Sequence, residues 1–114
     1  MKNFKYAFNG IMHAVMNERN MRVHLLLAAM VTAMGFVFRI SNFEWIVQLL
    51  LIAMVIGGEL MNTSIENLTD GQYKEWSATA KVVKDVAAGA VLFVSIISLL
   101  VAGIIYVPKI LELW

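Results

Sequence analysis

The stretch WIVQLLLIAMVIGGELMNTSIENLTD, residues 45–70, decides how this chain folds. Its first fourteen residues, Trp45 to Gly58, carry no charge, and then Glu59, Asn62, Glu66 and Asp70 follow at intervals of three, four and four. At about 100° per residue, those four fall within roughly 80° of arc on one helix face. The uncharged part alone covers only about 21 Å of helix, so crossing a hydrocarbon core of about 30 Å requires the helix to continue past Glu59. A buried membrane helix thus carries a polar stripe at one end. Ionisable groups at membrane depth are expensive and usually mark a site or a pathway.

Working outward, two more segments can span. His24 to Ile40 is a seventeen-residue run with Arg39 placed to snorkel at its end, and Val86 to Val107 is uncharged over twenty-two residues and followed by Pro108, read as a helix stop. The spans are therefore expected at about 24–40, 45–67 and 86–107, in one domain covering residues 1–114. Composition agrees: the chain is 61% hydrophobic with a mean hydropathy of +0.76. A net charge of +1 offers no concentrated basic face, so no nucleic acid is expected as partner. With no cysteine there is neither a disulfide framework nor a zinc-finger spacing. No signal peptide is evident, because the N-terminal stretch is amphipathic and not solidly apolar.

Ahead of the first span, Phe4, Ala7, Phe8, Ile11, Met12, Val15 and Met16 recur at helical spacing, with Lys2, Lys5, Asn9, His13 and Asn17 opposite. This predicts an amphipathic surface helix over about residues 2–19. Asn17 to His24 then reads as a charged collar joining it to the span, with Arg19 and Arg22 meeting lipid phosphates. Glu18 is out of place in such a collar, since an acid gains nothing at an anionic surface. His13 and His24 read as interfacial groups. Gly71 after Asp70 reads as a helix end, with a helix resuming near Ala78.

Seven of nine Lys and Arg residues (Lys2, Lys5, Arg19, Arg22, Lys74, Lys81 and Lys84) lie before the first span or between the second and third. That bias predicts a multi-pass cell-membrane protein with a cytoplasmic N-terminus and polar stripe, and an external C-terminus.

A helix starting at Trp45 leaves the hydrocarbon near position 65, so Glu59 lies roughly 9 Å inside the boundary while Glu66 and Asp70 reach the aqueous edge. A carboxylate in apolar surroundings holds a proton more tightly than one in water, which suits a general base acting on a hydroxyl. Carboxylates at the water's edge suit Mg²⁺, which takes one or two of them together with substrate phosphates. Lys81, Lys84 and the start of the third helix offer a phosphate site. These parts fit phosphoryl transfer to a lipid alcohol. A proton-coupled transporter and simple interhelical packing remain open alternatives on the residues alone. No GxxxxGK[ST] loop or soluble-kinase signature is present.

The segments Asn17-Glu18-Arg19-Asn20 with Arg22, Glu59 to Glu66 with Asp70, and Ala80-Lys81 through Lys84-Asp85 to Ala90 resemble the prokaryotic membrane diacylglycerol kinase family, which includes the undecaprenol kinases. The resemblance covers essentially the whole chain. It implies an all-α membrane domain of one surface helix and three transmembrane helices, assembled as a homotrimer with active sites between protomers. It implies ATP as donor and Mg²⁺ as cofactor, with Glu59 as proton acceptor and Asn62 orienting the reacting groups. Glu18 and Glu66 are implied as metal ligands at the nucleotide. Lys84 and Asp85 would bind the nucleotide, with Tyr6, Glu75, Trp76 and Ser77 lining its pocket; Asp70, Lys81 and Thr63 would support the site. Ser64 stands where the family often has Ala, and Trp76-Ser77 departs from the Tyr-His type of pair in that loop. His24 stands where the proteobacterial type has an acid. The Glu18-to-His24 stretch looks more like the Gram-positive branch, so undecaprenol is the expected acceptor and diacylglycerol the alternative.

Overall fold

A computed structural model describes residues 2–114 as four helices: α1 (Lys2–Asn17), α2 (Arg19–Val37), α3 (Asn42–Gln72) and α4 (Ala78–Leu111). The last three are each long and apolar enough to cross a membrane. On α1, Phe4, Phe8, Ile11 and Met16 are exposed, as an apolar face destined for lipid should be, while Ala14 is buried against the rest of the chain. The all-helical architecture and the amphipathic first helix therefore agree with the sequence pattern.

Four local expectations are corrected. The Asn17–His24 collar reduces to one non-helical residue, because α2 starts at Arg19 and leaves Glu18 in an extended conformation (φ −112°, ψ 115°) as an elbow between α1 and α2. Arg22 does not reach outward for phosphate in this structure: its guanidinium donates to the carbonyls of Val15 (2.9 Å) and Met16 (3.1 Å). The last carbonyls of a helix lack intrahelical partners and attract positive charge, so Arg22 serves as the cap of α1. Pro108 does not stop α4, which continues to Leu111. A proline near a helix C-terminus removes one N–H and leaves few downstream residues for its ring to disturb. Gly71 lies inside α3, which ends one residue later with Tyr73 as the cap.

At the other end of the bundle, α2 and α3 are joined by a tight turn. Arg39 occupies the left-handed region (φ 51°), and Ser41 begins α3 with a reciprocal capping box: Ser41 Oγ accepts from the Glu44 amide (3.1 Å) while Glu44 Oε1 accepts from the Ser41 amide (2.9 Å). Glu44 Oε2 also receives Lys109 Nζ at 2.9 Å, which ties α4 to the same corner. A small apolar core of Ile40, Ile105 and Tyr106 sits beneath, packed by Met34, Phe38, Trp45, Val101 and Ala102. Gly35 is required there, since a Cβ at that position would lie 2.6 Å from the Trp45 ring.

The interior contacts are partly polar. Tyr106 Oη lies 2.6 Å from Gln48 Oε1 and 3.1 Å from the Val31 carbonyl, and Gln48 Nε2 donates to that same carbonyl at 3.1 Å. With one proton on the phenol, the short contact is the donation to Gln48, and Gln48 passes the connection to Val31. One chain of hydrogen bonds thus links α4, α3 and α2. Beyond it toward Glu59, the three helices frame an apolar groove of about 190 Å³, lined among others by Leu27, Val31, Leu51, Val55 and Leu99, with His24 on its wall.

Candidate active site

The polar stripe sits at the end of α3 farthest from Ser41. Its spacing on one helix has the expected result: Glu59, Asn62 and Thr63 are all buried, Glu66 is half-buried and Asp70 is exposed. Exposure of these polar residues thus increases from Glu59 to Asp70. Glu59 is only 2% exposed in a helix whose neighbouring residues are apolar. Asn62 Nδ2 donates to Glu66 Oε1 at 3.0 Å, a contact between residues one turn apart. The other end of that amide, Asn62 Oδ1, is buried without a partner, as is Thr63 Oγ1. Buried polar atoms are normally satisfied, so each has capacity for a further partner; Ser95 Oγ on α4 is a third such atom, and Thr63 faces α1.

All three lysines of α4 are paired, Lys109 with Glu44 at the Ser41 corner and the other two beside the stripe. Lys84 Nζ donates to Asp70 Oδ1 at 2.7 Å across the α3–α4 connection, and Lys81 Nζ donates to Asp85 Oδ2 at 2.6 Å within α4. The Asp70 carboxylate beside it, first by hydrogen bond and then by charge, holds the Lys84 ammonium above its ordinary range. Lys84 and Asp70 thus form an exposed ion pair at the rim of the stripe.

Other candidates from the sequence are not drawn in. Tyr6 on α1 is 65% exposed and Trp76 is 82% exposed, while Glu75 is exposed in the α3–α4 loop. Ser77 is engaged as the N-cap of α4, accepting from the Ala80 amide at 3.3 Å. Glu18 is half-buried at the elbow, beside the first turn of α2, and its own side chain makes no capping bond there. Its charge and that of Glu66 both act on Glu59.

Two groups went unread in the sequence. Gln48 and Tyr106 form the interhelical chain, and the signal for Gln48 was its isolation as a lone amide in the Trp45–Gly58 run. His24 has a partner that its place in the sequence does not reveal: its Nε2 lies 3.7 Å from Glu59 Oε2, with the histidine side chain 17% exposed.

The donor set suits Mg²⁺ better than a softer metal. The available ligands are carboxylate and amide oxygens, and no cluster of three or more His, Cys, Asp or Glu is gathered among the described residues. Carboxylate oxygens such as those of Glu66, one turn from Asn62, are the kind of donor Mg²⁺ takes together with substrate phosphates.

The family model described as "Prokaryotic diacylglycerol kinase" matches residues 5–106. A protein of Bacillus subtilis (strain 168) named undecaprenol kinase is 37% identical over 108 residues, covering 95% of this chain and 88% of that one. A protein of Synechocystis sp. named diacylglycerol kinase is 32% identical over 114 residues, covering 97% of this chain and 64% of that one.

Proposed function

The chain belongs to the prokaryotic diacylglycerol kinase family, and from that premise we propose that this membrane lipid kinase transfers the γ-phosphoryl group of ATP to undecaprenol. The observation that carries the mechanism is the buried Glu59 on one helix face with the Asn62–Glu66 pair. In this reading the Glu59 carboxylate takes the proton of the lipid hydroxyl. The hydroxyl oxygen then bonds to the γ-phosphorus as the bond from that phosphorus to the bridging oxygen breaks, and ADP leaves. Asn62 holds Glu66 in place and turns its free carbonyl oxygen toward the reacting groups. Lys84, paired with Asp70, offsets phosphate charge at the rim, and Asp85, Tyr6, Glu75, Trp76 and Ser77 complete the nucleotide pocket with Lys81 and Thr63 in support. Glu18 and Glu66 would hold Mg²⁺, which when bound neutralises phosphate charge. Phosphoryl transfer is mostly positioning and charge neutralisation, so a site without a phosphate-binding loop is chemically sufficient.

The remaining parts follow the same premise. The bias of Lys and Arg supports a cytoplasmic site, where ATP is found. The apolar groove between α2, α3 and α4 suits the chain of the acceptor, with the hydroxyl at the His24 end. A homotrimer with sites between protomers is supported by how little the helices bury alone: the most apolar window of each span is at most 17% buried within the chain. A proton-coupled transporter, open on the residues alone, gives way to the kinase reading on family membership. Diacylglycerol is the second acceptor, favoured by the 32% identity to the Synechocystis protein. Both lipids present a primary hydroxyl at one depth.

The test is a mixed-micelle assay with labelled ATP, comparing undecaprenol and diacylglycerol side by side. Glu59→Gln should lower turnover by about 10²- to 10⁴-fold, the range for loss of a general base, without altering assembly. Near-normal turnover in that variant would remove Glu59 from the mechanism. Equal or higher turnover on diacylglycerol would replace undecaprenol as the acceptor.

A further inference from the structure

Glu59 is a difficult group to hold in one orientation. Its side chain is 3% exposed, and the two carboxylates whose charges reach it, Glu18 and Glu66, repel it. Among the described residues its salt bridge is to His24, which lies on a different helix. The Nε2 to Oε2 separation is 3.7 Å, longer than a hydrogen bond and close enough for the two groups to face each other directly. The same imidazole lines the apolar groove, so the ring stands between the groove and the carboxylate. The far ends of α2 and α3 are tied by the bond from Gln48 to the Val31 carbonyl, so His24 and Glu59 face each other across a packed pair of helices.

We propose that His24 is a positioning residue for the proposed lipid-kinase base: an N–H on its Nε2 is directed at Glu59 Oε2, leaving Oε1 to meet the acceptor hydroxyl at the mouth of the groove. A carboxylate free to swing between two rotamers presents its oxygens to the hydroxyl only part of the time. A donor on a second helix removes that freedom and offsets the repulsion from Glu18 and Glu66. His24 thereby acts on the rate of the chemical step, while its place on the groove wall lets its replacement change the lipid KM as well. The inference rests on the assignment of Glu59 as the base, and the variants below separate the two.

The experiment measures kcat and KM for ATP and for lipid in mixed micelles, with unfolding midpoints in detergent as the control for folding. His24→Leu should lower kcat by about 10- to 100-fold, the cost of misplacing a reacting group by an ångström or so, with the KM for ATP within about twofold. His24→Gln, which keeps an N–H donor at similar reach, should restore kcat to within about fivefold of the parent, whereas His24→Asn, with a shorter reach, should not. If His24→Leu fails to fold, the Gln and Asn pair carries the comparison. Full kcat in His24→Leu alongside an inactive Glu59→Gln overturns the positioning role and leaves the base intact. Equal losses in the Gln and Asn variants overturn the donor role. An active Glu59→Gln overturns both readings together.

Discussion

Replacing Tyr106 with Phe tests whether the hydrogen-bond chain through Gln48 holds the three spans together. The substitution removes one oxygen and leaves the ring, which packs edge-on against Phe38 at 5.9 Å between centroids. Tyr106 is 3% exposed and Gln48 6% exposed, so water does not replace the lost donor. Gln48 Nε2 keeps its bond to the Val31 carbonyl, while Gln48 Oε1 loses a partner that stood 2.6 Å away. Interhelical hydrogen bonds in membranes average about 0.6 kcal/mol with a maximum near 1.7, and orphaning a buried acceptor adds about 1–3 kcal/mol. Some relaxation of the amide reduces the second figure, so the expected loss is about 2 kcal/mol. Denaturant or SDS titration in a fixed detergent reads it directly. Gln48→Leu in the same background provides the double-mutant cycle: the pair together should cost clearly less than the two singles added. Strict additivity, or a Tyr106→Phe loss under about 0.5 kcal/mol, would show that the short contact contributes nothing and refute the argument. The lipid-kinase rate should be unchanged in Tyr106→Phe, because the substitution lies at the opposite end of the groove from Glu59.

Two further outcomes concern the Ser41 corner. Gly35→Ala places a methyl 2.6 Å from the Trp45 ring and should destabilise the protein by about 1–3 kcal/mol, measured by the same titration; a neutral result would mean the indole moves freely. The Ser41 amide, then Lys109, holds the Glu44 carboxyl below the ordinary carboxylate range. A depressed carboxyl contributes stability above its unfolded value, about 4.3, and loses it as pH falls through the lower folded value. The unfolding midpoint of the parent should therefore drop more steeply than that of Glu44→Gln on going from pH 6 to pH 3, and parallel curves would dismiss the capping box as an acid-sensitive contact.

Much of this architecture was legible because hydropathy and helical period act over long runs. Trp45–Gly58 and Val86–Val107 leave little choice but membrane helices, and the three- and four-residue spacing of Glu59, Asn62 and Glu66 fixes a shared face whatever the neighbours do. The boundaries were harder. Arg22 looks like a lipid-facing charge until the fold brings the carbonyls of Val15 and Met16 within its reach, and the elbow at Glu18 follows from that capping. His24 reads as interfacial because nothing local to α2 indicates that Glu59, thirty-five positions later, will face it. Gln48 and Tyr106 are likewise fifty-eight positions apart. Pairings across helices depend on rotation and crossing, which a periodic pattern does not specify. Tyr6 and Trp76 are exposed, so no contact within the chain brings either of them to the stripe.

The continuity of α3 has a consequence of its own. It is one unbroken helix from Asn42 to Gln72, begun by the capping box at Ser41 and reinforced there by Lys109. At 1.5 Å per residue, Glu59 stands about 25 Å from Asn42 along the axis. On the membrane placement proposed above, α3 is a ruler whose zero is pinned at one water surface. The distance from that surface to Glu59 is a property of the chain, and the distance from Glu59 to the opposite surface is a property of the bilayer.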